Sequence, residues 1–263
     1  MARAQRVPRE VPWAWAVTGA ALGLLFAFIA FAPARWLADA VAGASRGQVL
    51  LAEARGTIWD GSAQLVLTGG AGSTSAAALP GRISWDLEPR WYGAAARVRA
   101  ECCAPRPVDL RARVRWGGVA LQVGDGVTQW PAHVTTGLGT PWNTLQFDGD
   151  LRLTTQALSV EWIEGRPVIA GRAELVASRV ASRLSTLRPM GSYRITLQGG
   201  TPATLRLETL EGSLQLSGSG QWVGSRLRFR GEASAAPDRE AALANLLNII
   251  GRRNGPRSLI SIG

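Results

Sequence analysis

The sequence predicts a mainly β protein: a single N-terminal transmembrane helix followed by a curved, mostly antiparallel β-sheet meander with one C-terminal helix. Three observations predict it. The run from Val11 to Ala34 carries no charged residue. Beyond residue 55, apolar and polar residues alternate again and again with period two, the signature of half-buried strands. The 263 residues also include 31 Gly, 14 Pro and 11 Trp, a composition of short strands and tight turns, because Gly and Pro weaken helix interiors.

The first element is the apolar run. At ~1.5 Å per residue it reaches ~36 Å, longer than the ~30 Å hydrocarbon core of a bilayer. Trp13 and Trp15 near one end and Trp36 just past the other mark the lipid-water boundaries that amphipathic aromatics prefer. Arg3, Arg6 and Arg9 precede the run against the single acid Glu10, whereas Arg35 and Asp39 behind it nearly balance. The positive-inside bias makes residues 1–10 a cytoplasmic tail, 11–34 the span and 35–263 a translocated β-rich domain. The rival is a cleaved signal peptide, because Ala30-Phe31-Ala32 and Ala32-Pro33-Ala34 resemble cleavage sites. Against it, the run exceeds the ~7–15 residues of a signal core, and Pro33 would follow the first scissile bond.

The strands come next. In Val108–Trp116 one face collects Val108, Leu110, Ala112, Val114 and Trp116, and the other collects Asp109, Arg111, Arg113 and Arg115. The pattern recurs in Ile83, Trp85 and Leu87, in Leu145 and Phe147 then Leu151 and Leu153, and in Tyr193, Ile195 and Leu197. It returns in Leu205 and Leu207, in Leu214 and Leu216, and in Leu227 and Phe229 opposite Arg226, Arg228 and Arg230. At least eight strands follow. One apolar and one wet face imply antiparallel pairing, and no alternation of strands with helices suggests a parallel sheet. Short glycine-rich connections such as Gly199-Gly200 and Glu211-Gly212-Ser213 make sequence neighbours sheet neighbours.

Two helices are expected beyond the span. One is a weak continuation over 36–44. The other begins near Pro237 and Asp238, buries Leu243, Leu246, Leu247 and Ile250 on one face, and ends at Gly251 as a C′ residue. Alternation then resumes in Leu259–Ile262 as a last strand at an edge.

A short element repeats in Trp59-Asp60-Gly61, Trp91-Tyr92-Gly93, Trp116-Gly117-Gly118 and Trp222-Val223-Gly224. Its structural candidates are Trp59, Gly61, Trp85, Trp222 and Gly224. A strand-end Trp before a turn Gly could cover the open end of a sheet, although ordinary hairpin chemistry in a Trp-rich chain is the simpler account.

The formal charge of +10 and pI near 11.3 are carried by arginine. The arginines are spread through strands instead of clustering in a nucleic-acid motif, so anionic lipid head groups or acidic protein partners fit at least as well as nucleic acid, which also conflicts with the expected compartment. Cys102 and Cys103, the only cysteines, are adjacent, which excludes a framework of disulfide staples. They form either a strained vicinal ring or two half-buried thiols beside a turn.

No phosphate-binding loop, nucleophile elbow or spaced metal-ligand set is present. Asp148 and Asp150 share a wet strand face, Glu161 and Glu164 flank Trp162 in an expected turn, and His133 stands alone in an expected loop. Catalytic, cofactor-binding and metal-binding residues are therefore not expected, and the chain reads as a non-enzyme without cofactors.

Gly56-Thr57-Ile58-Trp59-Asp60-Gly61-Ser62 close behind an apolar run, then Gly81-Arg82-Ile83-Ser84-Trp85-Asp86, resemble the type II secretion system protein N family. The order continues through Gly191-Ser192-Tyr193, Leu210-Glu211-Gly212, Gly220-Gln221-Trp222, Gly231-Glu232-Ala233 and Asn245–Arg253. The resemblance implies an accessory inner-membrane component of folded-protein export, with a periplasmic domain that contacts inner-membrane components or the secretin. It supplies no catalytic residue. The Trp-x-Gly element also resembles AsmA-like envelope proteins, which gives the alternative of a lipid or other hydrophobic ligand held in a β-sheet groove.

Overall fold

The computed structural model describes residues 13–163 and 166–263. The expected tail at 1–10 and Glu164 lie outside the described residues. Helix α1, Trp13–Ala30, buries none of its side chains, and its 18 residues measure ~27 Å, long and apolar enough to cross a membrane. The helix ends at Ala30, short of the expected Ala34. Pro33, in extended geometry, separates it from α2, Ala34–Ala44, because a proline has no N–H to continue the ladder.

Strands follow as β1 (Val49–Gly56), β2 (Asp60–Thr68), β3 (Ala76–Ala78), β4 (Ile83–Arg90), β5 (Gly93–Ala100), β6 (Val108–Arg115), β7 (Gly118–Val123) and β8 (Gly126–Pro131). A 3-10 helix, Ala132–Leu138, and α3, Trp142–Leu145, lead into the two long strands β9 (Phe147–Ile163) and β10 (Arg166–Ser182). The chain continues through β11 (Gly191–Gln198), β12 (Thr204–Gly212), β13 (Leu214–Val223), β14 (Arg226–Ala235), α4 (Glu240–Ile250), β15 (Arg252–Asn254) and β16 (Arg257–Ile262).

Among the described residues these form one open sheet in the order β1-β2-β4-β5-β6-β7-β9-β10-β11-β12-β13-β14-β16-β15, with β3 on β2 and β8 on β9. Every pairing is antiparallel and nearly every neighbour is a sequence neighbour, the meander that the glycine-rich connections predict. Leu145 is a departure: it alternates with Phe147 but ends α3. His133 lies in the 3-10 helix and not in a loop, exposed to solvent. Strand β5 escapes pattern reading because its apolar face, apart from Val98, is alanine, a residue of little strand preference.

Cross-strand register keeps one face apolar across the sheet. Leu87 opposes Ala96, which opposes Leu110, which opposes Val123. Leu175 opposes Ile195, which opposes Leu207. Three buried clusters sit on this face. The first joins Ala34 of α2 to Ala63 and Trp85, and the second gathers Leu79, Ile83, Ala100, Cys103 and Val134. The largest holds Met190, Tyr193, Leu214 and the α4 residues Leu243, Leu246 and Leu247.

The helical spacing of those leucines thus places α4 on the sheet, as read. Gly251 behaves otherwise. Its backbone is extended and not left-handed, and a Cβ there would stand 2.5 Å from the Leu259 carbonyl oxygen. Close approach of β16, and not a left-handed cap, is what requires glycine. The Leu247 carbonyl, in the last turn of α4, is instead satisfied by the buried Ser258 hydroxyl at 2.5 Å.

The opposite face is wet. Arg97 reaches Glu88 at 3.0 Å, Arg194 reaches Glu208 at 2.9 Å and Glu174 at 3.5 Å, and Arg257 reaches Glu232 at 2.9 Å. Such exposed pairs contribute ~0–1 kcal/mol each, so they select register more than they hold the fold.

Candidate functional site

In an antiparallel sheet every second strand runs the same way, so β1, β4, β6, β9 and β13 all end on the same side. The four Trp-x-Gly copies sit at the ends of β1, β4, β6 and β13. They therefore line one rim, although they are scattered over 166 sequence positions between Trp59 and Gly224.

Three of the five sequence candidates meet at one corner of it. Trp85 is 4 % exposed, its indole N–H donates to the Ile58 carbonyl at 3.2 Å, and its ring lies over Gly61, directly across the strand pair. Trp59 turns outward and donates its indole N–H to the Ile29 carbonyl in the last turn of α1, at 2.9 Å. The Ile58 N–H donates to the Ala32 carbonyl at 2.9 Å, so the β1–β2 turn holds the end of α1 by two bonds. Trp222, opposite Leu227, and Gly224, left-handed at φ 63° in the β13–β14 turn, stand far along the sheet from that corner.

Two of the four indoles do not cover the sheet end. Trp91 is 90 % exposed, and Trp116 is fully exposed. The glycines two residues on are fixed by sterics, since a Cβ at Gly93 would stand 2.0 Å from the Ala112 oxygen and one at Gly118 1.8 Å from the Trp162 oxygen. Tyr92, Trp162 and Ile163 are further exposed apolar residues at the same rim. Single-strand patterns do not show them as a group, because the rim exists only once the strands are ordered.

The polar candidates stay apart. Asp150 accepts from Arg179 at 2.5 Å, and this bond followed by the charge of Asp150 raises the arginine pKa. Asp148 instead accepts from the Gly149 N–H, and Glu161 lies on β9 with Arg115 at 3.7 Å. Cys102 and Cys103 are disulfide-bonded; Cys103 is buried in the second cluster and Cys102 is exposed. No cluster of three or more His, Cys, Asp or Glu able to hold a metal occurs among the described residues. Burial pushes the Tyr193 phenol well above its usual range, and its hydroxyl donates to the Leu214 carbonyl at 3.1 Å.

The sheet has two free edges among the described residues. β1 is interrupted at Glu53, left-handed at φ 49°, where its register on β2 shifts. At the other edge β15 is three residues long, fully exposed and carries Arg252 and Arg253, features that protect an edge, whereas Ile260, Ser261 and Ile262 of β16 extend beyond it.

A model of the family described as type II secretion system (T2SS), protein N, matches residues 47–259, the span that builds the sheet. No curated protein and no solved structure matches the chain.

Proposed function

The chain belongs to the type II secretion system protein N family, and from that premise we propose that it is an accessory, non-catalytic component of type II protein secretion that works through contacts of its sheet. Helix α1 anchors it once in the inner membrane, with the N-terminus cytoplasmic and the sheet periplasmic. The partners are other proteins of the machine, inner-membrane components or the secretin.

The observation behind this reading is the open sheet itself. Its edges at β1 and β16 offer backbone N–H and C=O groups to an added strand, which gives affinity without a pocket. The alternative of a ligand in a groove has less behind it, because three buried clusters already occupy stretches of the apolar face. Photocrosslinkers placed at Glu53 and at Ser261, one on each edge, test the reading in secreting cells. Adducts with secretion-system proteins are expected from at least one edge. Adducts from neither edge, together with normal secretion after deletion, would overturn it.

A further inference from the structure

We infer that the Trp-bearing rim of the sheet lies in the head-group layer of the membrane that α1 crosses, so that the domain rests on the bilayer by its hairpin tips. This rests on the anchor reading of α1 and adds a second membrane contact, built from the domain.

Continuity with α1 comes first. The Trp59 and Ile58 bonds to the Ile29 and Ala32 carbonyls place the exit of the apolar helix at the β1–β2 turn. That turn is the first tip of the rim, and the tips after β4, β6, β9 and β13 follow on the same side. A helix that enters lipid from this turn brings the neighbouring tips toward the same surface.

The chemistry of the tips matches an interface. Trp91 at 90 %, Tyr92 at 73 %, fully exposed Trp116, Trp162 at 43 % and Ile163 at 47 % stand unburied on three tips that adjoin in the sheet. Exposed tryptophan in water is costly, whereas at the head-group level its ring is buried and its N–H satisfied. Arginines stand at the rim on the wet face: Arg113 lies across from Gly93 within the three-tip group, and Arg226 lies across from Val223 at the separate β13–β14 tip. Neither makes an ion pair among the described residues, and a guanidinium is a group that lipid phosphates bind well.

The two ends of the sheet differ in the required sense. Three of the elements that close the apolar face (α3, the 3-10 helix and α4) follow strands that end on the far side, and only α2 starts at the rim, directly behind α1. Large exposed aromatics concentrate at the end where α1 leaves.

The test uses the purified full chain in vesicles of phosphatidylethanolamine and phosphatidylglycerol doped with a phospholipid whose acyl chain carries a diazirine near the head group. After illumination, adducts are mapped by mass spectrometry. Lipid adducts are expected on α1 and on the peptides that contain Trp91, Trp116 and Trp162. The double variant Trp91→Ser, Trp116→Ser, changed only at exposed side chains, should keep its α1 adducts and lose those at Trp162 at least fivefold. Adducts on α1 with none at the tips would overturn the rim contact and leave the anchor standing. Adducts on neither would remove both.

Discussion

Gly61 lies directly across from Trp85, and a Cβ placed on that glycine would come within 2.5 Å of the Trp85 ring and 2.8 Å of the Arg55 and Thr57 carbonyl oxygens. The pair closes the corner where α1, the β1–β2 turn and the first buried cluster meet. Gly61→Ala therefore overpacks against backbone that cannot give way, and should cost ~1–3 kcal/mol in urea unfolding. A loss below ~0.5 kcal/mol, the range of an ordinary surface change, would contradict the packing.

Gly218 and Phe229 make the same point at the far end of the sheet. Phe229 is 5 % exposed, and its ring lies against Gly218 and Gly231. Strand preference alone says that alanine at Gly218 should help. The structure says the reverse, since a Cβ there would stand 2.4 Å from the Phe229 ring, and a lowered melting temperature for Gly218→Ala checks it.

Ser258→Ala should release the end of α4. The hydroxyl is fully buried and its bond to the Leu247 carbonyl would be lost, leaving an unsatisfied acceptor at ~1–3 kcal/mol. Hydrogen exchange should quicken over 246–250 first. Uniform quickening across the sheet would show that the helix is not a separable unit.

Tyr193 should make stability fall at alkaline pH. Its folded pKa is raised by burial, so folded and unfolded chains hold the same proton below the unfolded phenol value. Above ~10 the unfolded state ionises while the folded one keeps its proton, and stability falls as pH rises. In Tyr193→Phe that slope should flatten, with a smaller loss at neutral pH from the missing bond to Leu214. Unfolding curves for the two proteins at pH 8 and pH 10.5 measure the difference.

Trp59→Phe should loosen the joint between helix and sheet. The ring remains but the Ile29 carbonyl loses its donor, so limited proteolysis across 30–57 should speed up while the melting of the sheet changes little. Equal resistance to protease would show that the Ile58 bond to Ala32 suffices.

Much of this architecture is local, and local features are legible in sequence. An uncharged apolar run becomes α1, a helix long and apolar enough to cross a membrane, because length and apolarity are properties of the run itself. Alternation in Val108–Arg115, Tyr193–Leu197 and Leu227–Phe229 becomes strands because side-chain direction has period two, and the leucines of α4 become a buried stripe because its period is 3.6. What only the tertiary structure decided is what lies across from what. Gly93, Gly118 and Gly251 are glycines because a neighbouring strand passes too close for a side chain, and Trp85 is buried while Trp91, six residues on, is bare. The rim that Trp91, Trp116 and Trp162 share is a product of strand order, since residues far apart in the chain share one end of a sheet only after long-range pairing has stacked the strands side by side.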